Sequence, residues 1–124
     1  RRDPELLNGL AHVVMDRQGD TQEIHHLVDE AIIQQPGNLA YRCTRAELDL
    51  NSGQIDAAGK DLQAVLSADP GNIPALLLQA RWEEASGNRA AAMSVVRNLA
   101  RRREDLTVFQ LDQLKKLLLY LKKS

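Results

Sequence analysis

Hydrophobic and polar residues nowhere alternate over the length of a β-strand in this chain, although such alternation is the usual mark of a half-buried strand. Valine and isoleucine are scattered, aromatic residues make up only 3% of the chain, and the strong helix formers alanine and leucine dominate. Near the C-terminus, apolar residues follow helical spacing at Val108, Leu111, Leu114, Leu118 and Leu121. The pattern predicts an all-α chain of about seven helices.

Small and turn-forming residues recur at a fixed interval. Gly53 lies 34 residues after Gly19 and 34 residues before Gly87. The same interval separates Pro36 from Pro70, within the similar segments Gln-Pro-Gly-Asn and Asp-Pro-Gly-Asn. It also separates two pairs of alanines, Ala46 from Ala80 and Ala58 from Ala92. A period of this length is typical of helical repeat proteins.

The residues between the apolar segments indicate where helices begin and end. Asp3 is placed to cap a first helix, which we expect to stop near Gly19 through the left-handed conformation that glycine favours. Asp20 then begins a second helix, with Glu23 three residues later as a capping-box partner. The same arrangement recurs in the later repeats. Each repeat therefore predicts two helices of about 13 residues joined by a short turn, an αα-hairpin.

Close packing within a hairpin requires small side chains where the two helices meet. The eighth and twentieth positions of the second repeat are Ala46 and Ala58, and the third repeat has alanine at both. The first repeat instead has His12 and Ile24, so we expect a looser terminal hairpin there.

The period, the alanine pairs and the mid-repeat glycine resemble the tetratricopeptide repeat family, most closely along residues 57–70. The resemblance covers roughly residues 5–104 and implies a right-handed solenoid in one domain, residues 1–124. Its repeats would span about 5–38, 39–72 and 73–106, with a closing helix at about 107–122. The sequence departs from the family where its large aromatic residues are missing, and the closing proline of the third repeat is Glu104.

The resemblance also implies a concave groove lined by the first helix of each hairpin. The matching positions are Leu10, Val13, Asp16, Arg17, Cys43, Thr44, Glu47, Leu50, Asn51, Leu77, Leu78, Arg81, Glu84 and Ala85. Of these, we expect the polar and charged ones to contact a partner. The family's clamp for chaperone C-terminal tails needs lysine and asparagine, but Thr44 stands at the asparagine position, so we expect no binding of such tails.

The last helix is predicted to begin at a capping box formed by Thr107 and Gln110. We expect it to pack on the second helix of the third repeat. Its apolar residues extend almost all round the helix, which is unusual at the end of a repeat array. The excess apolar residues, Leu117, Leu119, Tyr120 and Leu121, therefore predict an association surface.

Charge is unevenly distributed, although the net charge is only −1. Residues 1–62 carry 11 acids and 6 bases, whereas residues 63–124 carry 6 acids and 10 bases. The basic half includes Arg97, Arg101, Arg102, Lys115 and Lys116, a patch that would suit an anionic partner. Solvated basic residues near helix C-termini are the alternative explanation. Without interleaved aromatic residues, we expect no sequence-specific binding of nucleic acid.

No motif for catalysis, metal binding or a cofactor emerges from the sequence. His25 and His26 are adjacent, so on a helix they point about 100° apart and suit one metal ion poorly. Cys43 has no activating neighbour in the sequence. The longest apolar run, residues 117–121, is far shorter than the roughly 20 residues of a membrane span. We expect neither a transmembrane segment, nor a cofactor, nor an enzyme.

The sequence thus predicts a protein-binding adaptor. Its Ala-, Arg-, Gln- and Leu-rich composition resembles that of bacterial repeat proteins, which often scaffold envelope or export machinery, and the compartment, cytoplasm or periplasm, stays open. Charge reversal at Arg81 and Glu84 is expected to weaken partner binding. A structural segment that self-associates through its last helix, with itself or with the first helix of a neighbour, is a second hypothesis. The chain begins without methionine, so we expect a longer parent protein, and a regulatory domain of a larger enzyme is a third.

Overall fold

The computed structural model describes residues 2–123 and is all-helical over them, with seven α-helices, one short 3-10 turn and no strand. The helices are α1 (Pro4–Asp16), α2 (Thr21–Gln34), α3 (Leu39–Asn51), α4 (Ile55–Ala68), α5 (Ile73–Ala85), α6 (Arg89–Arg101) and α7 (Val108–Lys123), and the turn is Arg103–Asp105. Helices that follow one another pack together, as α1 with α2 and α5 with α6. The predicted all-α class and its αα-hairpins are confirmed.

Helices begin where the sequence provides an oxygen acceptor for the unpaired N–H groups of the first turn. The side-chain oxygen of Asp3 accepts from the N–H of Glu5 at 2.9 Å, and that of Asp20 accepts from the N–H of Gln22 at 3.0 Å. The side-chain oxygen of Asn38 accepts from the N–H of Tyr41 at 3.2 Å, and that of Asn72 accepts from the N–H of Ala75 at 3.0 Å. α6 is different, because the side chain of Asn88 makes no capping hydrogen bond among the described residues. Asn88 is nevertheless the N-cap residue of α6, which begins at Arg89.

The hairpin turns use left-handed backbone conformations, although not always at the predicted residue. Gly53 and Gly87 have φ of 78° and 85°, as expected for glycines that stop helices. In the first hairpin Gln18, not Gly19, takes the positive φ of 56°, so the predicted role of Gly19 is wrong. Gly19 is needed for space instead: a Cβ there would lie 2.5 Å from Cγ1 of Val14.

Contacts divide the chain into two compact units, Arg1–Val65 and Leu66–Ser124, with the division inside α4. In the N-terminal unit, α1, α2 and α3 pack around a core that includes Leu7, Ala11, Val28 and Leu48. Ala46 and Ala58 are fully buried, as their predicted place between two helices requires. In the first hairpin Ile24 is also buried, at 2% exposure, while the looser packing expected there stays a prediction.

In the C-terminal unit, α5, α6 and α7 enclose the core residues Leu77, Ala80, Ala92, Val96, Leu99, Leu106, Leu114 and Leu121. α7 packs mainly on α6, as predicted. Val108 was expected in the buried stripe of α7 but is 86% exposed. At 100° per residue it lies about 120° round the helix from Leu114, which faces the core. Within residues 2–123, no helix is both long and apolar enough to cross a membrane.

Candidate functional site

The N-terminal unit contains an open polar cleft of about 520 Å³ between α2, α3 and α4. Its charged lining comes from all three helices and comprises His25, Asp29, Arg45, Asp49, Lys60 and Asp61. Two of its carboxylates are buried, since Asp49 and Asp61 are only 3% and 4% exposed. Buried carboxylates are rare in proteins unless they are paired, so their partners decide what the cleft can do.

Arg45 pairs with Asp61 in a bidentate geometry. Its Nε donates to Oδ2 of Asp61 at 2.7 Å and its Nη2 donates to Oδ1 at 2.9 Å, while its Nη1 donates to Asp29 at 3.1 Å. Arg42 adds a longer contact to Asp61 at 3.4 Å. These bonds, above all those to Asp61, raise the pKa of Arg45 and keep its guanidinium charged. Arg45 thus connects α3 to both α2 and α4.

Asp49, the second buried carboxylate, pairs with a histidine and not with an arginine. Its Oδ1 lies 3.1 Å from Nε2 of His25, and that histidine is about one-third exposed at the edge of the cleft. Burial raises the pKa of Asp49, and Asp61 and Asp29 act in the same direction, while His25 and Arg45 oppose them. Among residues 2–123, no three metal-ligating side chains are grouped to hold an ion. The contact between His25 and Asp49 joins α2 to α3.

A count of charge over each half of the chain does not reveal this cluster. The spacing of the residues does contain a signal. His25 and Asp29 are four residues apart and share one face of α2, and Arg45 and Asp49 are four residues apart and share one face of α3. That the two faces meet, and that Asp61 joins them, depends on how the helices pack.

Cys43 stands near this cluster but is not a reactive thiol. It is 7% exposed. Burial, followed by the charges of Asp61 and Glu47, raises its pKa to about 11, so the thiolate is scarce at neutral pH.

The residues predicted to line a groove differ in how much surface they offer. Asp16, Arg17 and Asn51 are exposed, and Glu47, Arg81 and Glu84 are half-buried. Thr44 is only 3% exposed, and its hydroxyl lies 3.0 Å from Nε2 of His12 and donates to the carbonyl of Ala40 at 3.1 Å. Thr44 therefore joins α1 to α3 and presents almost no surface to a partner.

Exposed apolar side chains form a stripe along α1. Leu6, Leu10 and Val13 are 56%, 40% and 44% exposed, and their spacing of four and three residues places them on one face. Gly9 lies within the same stripe, and a Cβ there would meet nothing within 4 Å. We call Leu6, Gly9, Leu10 and Val13 the α1 face. The groove positions of the sequence analysis included Leu10 and Val13 of this set.

α7 exposes a second set of apolar side chains. Val108 and Phe109 in its first turn are 86% and 70% exposed, and Leu119 and Tyr120 near its end are 60% and 55% exposed. We call these four residues the α7 face. Of the predicted association surface, Leu119 and Tyr120 belong to it and Leu117 is half-buried. Leu121 is 2% exposed and belongs to the core, because it lies on the same side of the helix as Leu114.

The arginines predicted as a basic patch have local roles at the end of α6. Arg102 donates to the carbonyl of Gly71 at 2.9 Å, and Arg103 donates to the carbonyl of Ala100 at 3.3 Å. Arg101 donates to the side chain of Asn98 at 2.9 Å, whereas Arg97, Lys115 and Lys116 are exposed. The contact of Arg103 with Ala100 agrees with the expectation that basic side chains satisfy carbonyls at helix C-termini.

Net charge separates the two units. Residues 1–65 carry 11 acids and 6 bases, a net charge of −5, and residues 66–124 carry 6 acids and 10 bases, a net charge of +4. The α1 face therefore belongs to an acidic unit and the α7 face to a basic one.

No protein-family model matches the chain, and no significant similarity to a curated protein is found. The fold alone defines the class, which is an all-helical protein built from packed αα-hairpins.

Proposed function

We propose that this chain is a non-catalytic protein-binding module of the tetratricopeptide type, which acts as an adaptor through the α1 face. The observation that carries the proposal is the exposed stripe of Leu6, Leu10 and Val13. Single exposed leucines are normal on protein surfaces, but a row of them on one helix face is a recognised form of binding surface.

The spacing of the α1 face suits a helical or extended peptide partner. Side chains at positions i, i+4 and i+7 are the anchors by which one helix packs against another. Gly9 adds space for close approach of the partner backbone, as small residues do at helix–helix contacts. Asp16 and Arg17 are exposed at the end of the same helix and would supply a polar rim.

The proposal is tested with a library of amphipathic peptides displayed on phage and selected against the whole chain. Peptides that are enriched are then titrated in solution by fluorescence anisotropy. We expect Leu10→Ser combined with Val13→Ser to weaken binding by at least about tenfold, since each removes buried apolar contact. Circular dichroism should show unchanged helicity, because both side chains are already exposed.

Ile33→Ser is the matched control. Ile33 is 76% exposed on α2, outside the α1 face, so its loss removes a similar apolar area without touching the proposed site. Peptides that bind the double variant as well as the unaltered chain, or a selection that enriches none, would contradict the proposal.

The tetratricopeptide assignment adds a second expectation at Arg81 and Glu84. Both are half-buried on α5 at positions that line the groove in that family. Reversing both charges is expected to weaken partner binding and to leave helicity intact. If binding is unchanged, the groove positions of α5 take no part in recognition, and the α1 face acts alone.

A further inference from the structure

We infer that the partner of the α1 face is a second copy of this chain, which binds through its α7 face in a head-to-tail contact. The inference rests on the proposed function, because it takes the α1 face as a binding surface. The identity of the partner is inferred from the charges and from the spacing of the apolar side chains on α1 and α7.

The charged side chains within α1 are acidic, and one basic side chain, Arg17, follows directly after the helix in line with the stripe. Glu5 and Asp16 are exposed on the flank of this stripe, one near each end of α1, and the unit that carries it has a net charge of −5. A partner helix that covers Leu6, Leu10 and Val13 therefore binds more favourably if it brings lysine or arginine to the rim.

The α7 face has the complementary arrangement. Its apolar side chains lie at the two ends of the helix, and the exposed Lys115 and Lys116 lie between them. Lys116 is 3.1 Å from Asp112, in a pair so exposed that either charge remains accessible to other partners. The unit has a net charge of +4. The α7 face thus combines exposed apolar side chains with positive charge, which complements the apolar side chains and carboxylates of α1.

Pairing of like faces is disfavoured by the same charges. Two α7 faces would bring lysines together, and two α1 faces would bring carboxylates together, whereas α1 against α7 joins opposite charges. A contact between unlike faces also leaves one free face of each kind at the ends of the complex. Assembly continues beyond a dimer unless two such contacts close on each other.

The contact is small, because it joins one helix face to another. Stable interfaces bury at least about 1,200 Å², and a single pair of helices supplies less than that, so we expect weak association that rises with concentration. The first measurement is sedimentation equilibrium of the whole chain up to a concentration on the order of 1 mM. The weight-average mass is expected to rise with concentration above the monomer mass of 13.8 kDa.

Charge reversal then tests which faces meet. One variant combines Glu5→Lys and Asp16→Lys, and the other combines Lys115→Glu and Lys116→Glu. Each variant alone is expected to remain a monomer, since its two faces now repel each other. An equimolar mixture is expected to associate again, because the reversed lysines of one variant face the reversed acids of the other.

A steric test uses Gly9→Gln. Its side chain meets no atom within 4 Å in the monomer, so the variant folds, and its circular dichroism melting temperature should not fall. It should nevertheless lose self-association, because the added side chain stands where the partner helix approaches. Gly37→Gln is the matched control, as Gly37 is equally open but lies between α2 and α3, and it should associate normally.

Three results would overturn the inference. A mass that stays at that of the monomer throughout excludes self-association, and peptide binding by the α1 face is then judged separately by its own titration. Normal association of the Glu5/Asp16 variant with loss in the Lys115/Lys116 variant indicates that α7 pairs with itself. Normal association of both variants indicates that another surface is responsible.

Discussion

Arg45 is the side chain on which the buried charges of the N-terminal unit converge. It donates to Asp61 through two nitrogens and to Asp29 through a third, and Asp61 is 4% exposed. A buried ion pair gains little over apolar packing, because desolvation offsets the attraction, but a buried carboxylate left without its partner is costly. Removing one partner of this ion pair is therefore expected to destabilise the fold by more than the intact pair stabilises it.

The first prediction follows from that asymmetry. Arg45→Met should lower the free energy of unfolding by about 2–4 kcal/mol, because Asp61 loses its two hydrogen bonds to Arg45 and keeps the longer, 3.4 Å contact with Arg42. Arg45→Met combined with Asp61→Leu should cost less than Arg45→Met alone, since no unpaired carboxylate remains. Urea unfolding of both variants measures this. A double variant less stable than the single one would show that the pair itself stabilises the fold.

Asp49 gives the second prediction, in the dependence of stability on pH. Burial raises its pKa in the folded chain above the unfolded value, so the folded state binds the proton more tightly. The contribution of Asp49 to the stability of the fold is therefore most favourable below its pKa in the unfolded chain. It is lost as the pH rises through its pKa in the folded chain.

The comparison is with Asp49→Asn, which cannot titrate. The free energy of unfolding of the unaltered chain, minus that of the variant, is expected to become more favourable as the pH is lowered from about 7 to about 4. Thermal or urea unfolding across that range supplies the values. A difference that becomes less favourable with acid would mean that the pair with His25 outweighs burial.

At the scale of the helix, α7 depends on a local signal at its beginning. Its N-terminus is a reciprocal capping box: the N–H of Gln110 donates to Oγ1 of Thr107 at 3.1 Å, and the N–H of Thr107 donates to Oε1 of Gln110 at 2.9 Å. The predicted capping box is confirmed. Because α7 supplies Leu114 and Leu121 to the core of the C-terminal unit, the cap at its N-terminus affects the stability of that unit as well as that of its own first turn.

The third prediction concerns this cap. Thr107→Ala should lower the free energy of unfolding by about 1 kcal/mol, because the N–H of Gln110 loses its acceptor. Thr107→Ser keeps an oxygen in place and should restore most of that loss. Urea unfolding of the two variants measures both effects. Equal losses for alanine and serine would show that the methyl group of Thr107, not its hydroxyl, stabilises the helix.

Helix boundaries could be predicted from the sequence because caps and turns depend on neighbours a few residues away. Asp3, Asp20, Asn38 and Asn72 cap the helices that follow them. The first hairpin turn could not be predicted in detail, since Gln18 takes the left-handed conformation while Gly19 provides space against Val14. The sequence pattern allows the left-handed conformation at either residue, and the close approach of Val14 to Gly19 is seen only in the structure.

For the whole molecule, the separation of charge between an acidic and a basic unit gives the fourth prediction. If the α1 face of one copy binds the α7 face of another, added salt screens the attraction between them. The weight-average mass at a fixed protein concentration should therefore fall as sodium chloride is raised from about 0.05 M to about 0.5 M. An increase with salt would indicate that apolar contact alone drives association.

The candidate sites were less predictable than the fold. Groove positions taken from the tetratricopeptide resemblance included Leu10 and Val13, which are exposed, and Thr44, which is buried and hydrogen-bonded to His12 and Ala40. A repeat pattern specifies which helix a residue belongs to, but the exposure of a residue depends on what packs against it.

The sequence by itself determined the helices, their hairpin pairing and the opposite charges of the two halves, because composition, caps and turns are local properties of the chain. The tertiary structure decided that His25, Arg45, Asp49 and Asp61 meet in one cleft. It also decided that α1 and α7 keep apolar faces exposed. Both outcomes depend on how helices far apart in sequence are oriented, and side-chain burial follows from that orientation.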